Sequence, residues 1–385
     1  MHLGLVRYKY NSTGGAERFI NRLCSLLAPL ERIGRLTVFT ASWKRFDGME
    51  TSQPISDAVD FVKIPCFGTG RFLRTYSFLH NAGRTVRKFR GMVVQSHERL
   101  PGCSIFRAGD GVHRSWLKRL SLETGGAASH LRGFDPFHRL ICRNELSMAR
   151  DPRTLFVANS PLCKRDLMEH LDVPEGRIFL IPNSIDRSAW TVDADAVQSR
   201  MLRKQLLGLD PGKPCVIFVG SDFHRKGLKF LIEAVGMTKD VQLLVLGHDK
   251  SSSSFHSLAN KHARGRVVFL GPTDHVKSFL EAADVFCLPS LYDSFSNAAL
   301  EAACMGVPLV VTQSVGISDY LVHHGGGVIC ERESSSVKYA IETVLGNARQ
   351  FSQRVLKLSE QFDESHLIGD WLSLYERASQ LRDLR

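Results

Sequence analysis

Five short apolar runs recur at intervals of about 20 to 25 residues in the second half of the chain, and they leave few folds open. They are Cys215–Gly220 (CVIFVG), Val241–Gly247 (VQLLVLG), Arg266–Gly271 (RVVFLG), Asp284–Pro289 (DVFCLP) and Val307–Thr312 (VPLVVT). Runs this short and this continuously apolar read as strands buried on both faces, because a strand with one wet face alternates. Between them, apolar residues fall at helical spacing, as at Leu228, Leu231, Ala234 and Val235. Strands alternating with helices predict a doubly wound parallel sheet covered on both sides.

The first half begins in the same way. Leu3–Arg7 reads as a strand, Asn11–Gly15 as a turn, and Phe19, Ile20, Leu23, Leu26 and Leu27 as one face of a helix. Weaker strand signals follow at Thr37–Thr40, Asp60–Ile64, Met92–Gln95, Ser104–Ala108, Thr154–Ala158 and Ile178–Ile181. A chain of 385 residues exceeds what one core usually organises, and suits two. The polar stretch Asp186–Arg200 reads as the connection between them. The expected architecture is α/β, with two Rossmann-like domains facing each other across a cleft. Their bounds are 1–186 and 187–365, and 366–385 forms a C-terminal helix packing back on the first domain.

The net charge of +11 is unevenly spread. Residues 1–190 hold 29 Lys and Arg against 17 Asp and Glu, giving +12, and the remainder is close to neutral. A basic first half points to a polyanionic partner or to a solvated basic face. No stretch approaches the roughly 18 apolar residues of a membrane span. Met1–Arg7 reaches charge before a secretory apolar core can form, so a cytoplasmic location is expected. The nine cysteines include no C-x-x-C pair, which suits reduced thiols used as small core residues and makes a zinc site improbable.

Three segments carry chemistry. Gly14-Gly15 follows the first strand and opens a helix, where free amides and positive potential suit a phosphate. A plain Gly-Gly turn fits equally, and the absence of G-x-G-x-x-G spacing disfavours a nicotinamide dehydrogenase. Gly220–Gly227 occupies the same strand-to-helix position in the second half and holds Arg225 and Lys226 side by side. Cations at a helix start oppose its dipole, so they face either water or an anion such as a diphosphate. In Asp293–Glu301 (DSFSNAALE) two carboxylates lie eight residues apart. Ser296, Asn297 and Ala298 are small enough to leave first-turn amides open to a ligand. Glu301 sits among alanines and leucine, which favours a cleft over bulk water, although a plain cap at Asp293 and an exposed Glu301 also fit.

With these segments the sequence resembles the retaining glycosyltransferases of family 4, which have the GT-B fold. The resemblance rests on Gly14-Gly15, Asn159-Ser160, Pro182–Asp186, Gly220–Gly227 and Asp293–Glu301 followed by AACMGVP, which matches the family's E-x7-E motif. Within the family, Tyr8-Lys9-Tyr10 ahead of Gly14-Gly15 and the Gly-Ser-Asp-Phe-x-Arg-Lys-Gly run are similar to the lipopolysaccharide core glucosyltransferases, which move glucose from UDP-glucose to the inner-core heptose. Asp293 stands where the family usually has Glu, so the resemblance supports a hexosyl donor more firmly than glucose itself. It implies that Arg225 and Lys226 neutralise the departing diphosphate and that Glu301 accepts hydrogen bonds from the ribose. Asp293 would bind sugar hydroxyls, the backbone at Ser296–Ala298 would cradle phosphate or hexose, and Gly14 and Gly15 would approach the same phosphates. Asp110 would lie beside the reacting sugar, or be no more than a turn aspartate in Ala-Gly-Asp-Gly.

Leaving-group stabilisation by cations and helix dipoles requires no metal and no further cofactor. Asp193-Ala194-Asp195 imitates a metal-binding D-x-D but falls in the expected connection, and is read as chance. Rival readings are a transferase with another nucleotide-sugar and acceptor, a nucleotide-sugar 2-epimerase, and a nucleic-acid-binding protein. The last lacks a recognisable aromatic RNA motif or recognition helix. Two basic stretches complete the picture. Arg71–Arg99 holds seven cations against Glu98, and Arg114–Arg143 holds six, interleaved with Trp116, Leu117, Leu120, Leu122, Phe134 and Phe137. Mixed basic and apolar residues suit a peripheral contact with an anionic membrane, where a lipid-anchored acceptor is presented.

Overall fold

A computed structural model of the chain describes residues 1–10, 15–43, 59–124, 135–190 and 196–383. It divides into two compact units, Met1–Asn183 together with Ser365–Arg385, and Ser184–Glu364.

The first unit holds β1 (His2–Val6), β2 (Lys9–Tyr10), β3 (Arg35–Thr40), β4 (Ser42–Trp43), β5 (Val59–Lys63), β6 (Met92–Ser96), β7 (Ile105–Arg107), β8 (Leu155–Ala158) and β9 (Ile178–Leu180). β2 and β4 pair with each other, and the other seven form one sheet in the order β5-β3-β1-β6-β7-β8-β9. All its pairings are parallel, with Leu3 beside both Leu36 and Val93. The order turns back at β1, and the crevice beyond the carboxyl ends of strands at such a reversal is where doubly wound sheets bind ligands.

Side chains alternate across this sheet, and each face has its own cover. Leu3 and Leu5 pack with Leu23, Cys24 and Leu27 of the helix Gly15–Leu27 and with Trp371, Leu374 and Tyr375 of the helix Glu364–Asp383. Val6, Phe39, Phe106 and Phe156 pack on the other side with Phe78 and Leu167. The Tyr375 hydroxyl, fully buried, donates to Gln95 Oε1 at 2.9 Å, so the last helix is tied to the end of β6 by a polar contact inside an apolar layer. An unpaired hydroxyl there would be costly, which makes this bond part of the docking specificity.

The second unit contains β10 (Cys215–Val219), β11 (Gln242–Leu246), β12 (Val267–Gly271), β13 (Val285–Leu288), β14 (Leu309–Thr312) and β15 (Gly327–Cys330), in the order β12-β11-β10-β13-β14-β15. Its pairings are all parallel, and the reversal falls at β10. The five apolar runs are β10 to β14. The edge strand β15 has no such run, because it opens on glycine and is only half-buried. Gly327 is required there: a Cβ would sit 2.0 Å from the Leu309 carbonyl oxygen of the neighbouring strand.

One expectation is corrected. Asp186–Arg200 is not a free connection, because Arg187–Trp190 forms a 3-10 turn with Trp190 buried in the second unit's core, and a helix starts at Ala196. The Asp193–Asp195 triplet lies outside the described residues, as do Gly14, Arg132 and Phe134. All nine cysteines are free thiols, and seven are buried. Among the described residues no helix is long and apolar enough to cross a membrane.

Candidate active site

The carboxyl edge of the second sheet gathers the loops that follow β10 and β13. After β10, Asp222 adopts φ +63° and caps the four-residue helix Phe223–Lys226, which ends at Gly227 with φ +78°. A side chain at Gly227 would strike the Pro289 carbonyl oxygen at 2.0 Å, so the two loops touch at a point only glycine permits. Arg225 is fixed from both sides. Its Nε donates to Asp222 Oδ2 at 2.8 Å and its Nη1 to the Tyr292 carbonyl at 2.7 Å, while its own carbonyl accepts from Leu291 N at 2.8 Å. Lys226 Nζ pairs with the Asp293 carboxylate, both side chains being largely buried.

The sequence reading therefore needs one amendment. The adjacent cations do face anions, but within this chain those anions are Asp222 and Asp293. Asp222 was not singled out from the sequence, although its position three residues before Arg225 is a readable signal. Burial alone would raise the Asp293 carboxyl. Lys226 and then Arg225 outweigh that effect and hold it below the usual aspartate range.

Beyond Asp293 the chain enters the helix Asn297–Cys304 through Ser296, a non-glycine residue at φ +77°. Its hydroxyl accepts from Ala299 N at 3.3 Å, which caps the first turn. The N–H groups of Asn297 and Ala298 lie in the first turn of this helix. Backbone held in this sparsely populated region is a recurrent mark of functional loops. Glu301 is the fifth residue of the helix, just over one turn in, and only 3% exposed. Arg225, Lys226, Asp293, Ser296, Asn297, Ala298 and Glu301 thus lie on two adjoining loops and one helix start at one sheet edge. The arrangement concentrates charge-assisted donors beside a helix N-terminus, which suits a phosphorylated ligand.

The first unit holds the remaining residues. Gly15 opens the helix Gly15–Leu27. Asp110 follows β7 and is more than a turn aspartate: it lies 3.6 Å from Arg7 Nη1 and 3.9 Å from Arg99 Nη1. Desolvation opposes its ionisation, but Arg7, Arg99 and Arg107 prevail and hold its carboxyl below the usual value. The same cluster includes Glu98, which accepts from Tyr8 N at 3.0 Å, and Glu145, fully buried against Arg99 and His113 N. Sequence reasoning missed Arg7, Glu98, Arg99 and Glu145 as a group, because three elements far apart in the chain supply them.

Two parallel sheets, each flanked by helices and with its polar loops at the carboxyl edge, are the architecture of the GT-B fold. Residues 13–189 match the model of Glycosyltransferase Family 4, and residues 213–347 match that of Glycosyl transferases group 1. The two matched domains, one in each unit, make the chain a glycosyltransferase. It is 24% identical over 390 residues to the lipopolysaccharide glucosyltransferase WaaG of Escherichia coli, covering 97% of this chain and 96% of that one. An uncharacterised glycosyltransferase of Methanocaldococcus jannaschii is 26% identical over 192 residues, but the chain spans only 49% of its length. The lipopolysaccharide core biosynthesis glycosyltransferase LpsE of Rhizobium meliloti is 32% identical over 136 residues, 35% of this chain and 40% of that one. Among solved structures, WaaG superposes with a TM-score of 0.78 at 20% identity over 98% of this chain and 99% of that one. HepE of Anabaena, solved with UDP and glucose, superposes with 0.69 at 16% identity over the full length of both.

Proposed function

We propose that the chain is a retaining hexosyltransferase that moves glucose from UDP-glucose to the heptose of a lipopolysaccharide inner core, without a divalent metal. The observation that carries this reading is the meeting of Arg225, Lys226, Asp293, the Ser296-capped helix start and buried Glu301 at one sheet edge. The match to WaaG along nearly the whole of both chains supports the donor and the acceptor. Cleavage of the anomeric bond builds negative charge on the diphosphate, and Arg225 and Lys226 meet that charge as it develops. Preorganised cations act strongly here because they do not have to reorient during the step. Glu301 accepts hydrogen bonds from the ribose. Asp293 accepts from a sugar hydroxyl while Lys226, held in place against it, donates to the phosphates, so one ion pair holds both halves of the donor.

The test is a panel of UDP- and ADP-hexoses with a heptose-terminated lipopolysaccharide acceptor, the product linkage being read by NMR. An α-linked glucose from UDP-glucose, formed equally well with excess EDTA, is expected. A β-linked product, free epimerised UDP-sugar, or complete loss of activity in EDTA overturns the reading.

We also propose that the first unit meets an anionic membrane at the cytoplasmic face. Its helices Gly70–Val86 and His113–Thr124 both pack on the helix Pro136–Arg150. They expose Leu73, Tyr76 and Leu122 beside Arg74, Arg84, Arg114 and Lys118. Three cations of the basic stretches have other work, Arg71 by pairing with Asp135. Arg99 belongs to the Glu145 cluster, and Arg119 bonds buried Asp166 at 3.3 Å. Replacing Arg74, Arg114 and Lys118 together by Gln is expected to weaken binding to anionic vesicles by about 3 kcal/mol, roughly 1 kcal/mol per cation near the surface. Sedimentation with equal binding to neutral and anionic vesicles counts against the contact.

A further inference from the structure

The helix that carries Arg225 and Lys226 is four residues long, too short to sustain itself, since a single turn fixes many dihedrals for few hydrogen bonds. Its geometry is imposed from outside, and much of that support comes from a residue far along the chain. Arg332 follows the edge strand β15. Its Nε donates to the Pro289 carbonyl at 3.2 Å, and its Nη2 donates to the carbonyl of His224, the residue before Arg225. The guanidinium lies 4.9 Å from the ring centroid of Phe230, on the helix that follows Gly227. One side chain therefore holds the end of the short helix, the start of the loop after β13 and the helix beyond, at the place where Gly227 meets Pro289 without room for a Cβ. Burial lowers the Arg332 pKa to about 10, which leaves it a cation at neutral pH, and a cation at the carbonyl end of a helix is favourable. A planar fork reaches two divergent carbonyls at once, whereas a lysine ammonium on a flexible stem holds that pair less rigidly.

We propose that Arg332 is a positioning residue for the transfer reaction, setting the Arg225–Lys226 turn against the Pro289–Ser296 loop. The proposal rests on the assignment of those two cations to the donor diphosphate. Arg332 touches backbone carbonyls of both loops, and it acts through the placement of Lys226 and Arg225. Catalytic cations displaced by a fraction of an ångström lose much of their effect on the transition state.

The experiment is a double-mutant cycle on the full chain, with kcat/KM for UDP-glucose and the inhibition constant of UDP measured alongside melting temperature. Arg332→Ala is expected to lower kcat/KM by about 10- to 100-fold. Arg332→Lys should recover part of that loss, since it restores charge and one hydrogen bond. In a Lys226→Ala background, Arg332→Ala should cost no more than about threefold further, because residues acting as a unit are not additive. Losses that multiply, or Arg332 variants with parental kcat/KM beside an impaired Lys226→Ala enzyme, overturn the positioning role alone. A fully active Lys226→Ala enzyme overturns the donor-site assignment itself. A merely structural arginine would lower the melting temperature and the active fraction and leave the UDP inhibition constant of the folded fraction unchanged, which also defeats the proposal. If Arg332→Ala does not fold, Arg332→Gln, which keeps a hydrogen-bond donor, carries the same cycle.

Discussion

Lys226→Ala is expected to reduce kcat/KM for the donor by a factor of about 100 to 1,000, or roughly 3–4 kcal/mol, when assayed well below a melting temperature that the stranded Asp293 lowers. The size follows from removing one preorganised donor at a site of developing charge. Two features of the fold sharpen the expectation. Lys226 is held against Asp293 at the mouth of a loop whose backbone is already fixed by Arg225, so the ammonium needs no ordering when the diphosphate departs. Removing it also leaves Asp293 without its principal counter-ion, and the carboxyl that Lys226 holds down would drift upward toward the protonated form. Asp293 then becomes a poorer acceptor for a sugar hydroxyl, which adds a loss in donor affinity to the loss in rate. Steady-state kinetics with a melting curve decides the matter. A Lys226→Ala enzyme with parental kcat/KM removes the diphosphate from this edge.

Glu145→Ala is expected to destabilise the first unit by about 3–5 kcal/mol, because it strands a buried cation rather than deleting a pair. Glu145 has no exposed surface, accepts from His113 N at 2.8 Å and faces Arg99 Nε at 3.2 Å, and Arg99 itself is only 12% exposed. For a unit of this size the melting midpoint should fall by about 10 °C. Glu145→Gln keeps an acceptor for the His113 amide and should be milder. Calorimetry on the three proteins measures the difference, and an unchanged midpoint in Glu145→Ala would mean that Asp110 takes over Arg99 without loss.

Most of the second unit is legible from its sequence, and little of the first unit's polar interior is. The reason lies in the distance along the chain over which each feature is encoded. β10 to β14 are continuous apolar runs, each readable in a handful of residues. The donor-edge segments Gly220–Gly227 and Asp293–Glu301 are likewise local, and their contact follows from the strand order, because β10 and β13 are neighbours. β15 escapes because a half-buried edge strand that starts on glycine lacks the apolar signature. The Arg7–Glu98–Arg99–Asp110–Glu145 cluster is assembled from the ends of β1, β6 and β7 and from a helix, and no single window of sequence contains it. Arg332 is hidden for the same reason. Its partners are carbonyl groups, which every residue has, and nothing in its neighbours marks it.

The return of the chain from the second unit to the first has a consequence for biosynthesis. Trp371 and Tyr375 complete one face of the first sheet, yet they are translated after the whole of residues 184–364. The usual order, in which an amino-terminal domain finishes folding while the next is still being made, is closed to this protein. On the ribosome the part of this face that Trp371, Leu374 and Tyr375 cover waits exposed for the length of an entire domain's synthesis, while the second unit has all its strands in hand and can close first. The nascent first unit is therefore the stage at which chaperones have an apolar surface to hold, and slow codons placed before residue 365 would prolong that exposure instead of relieving it.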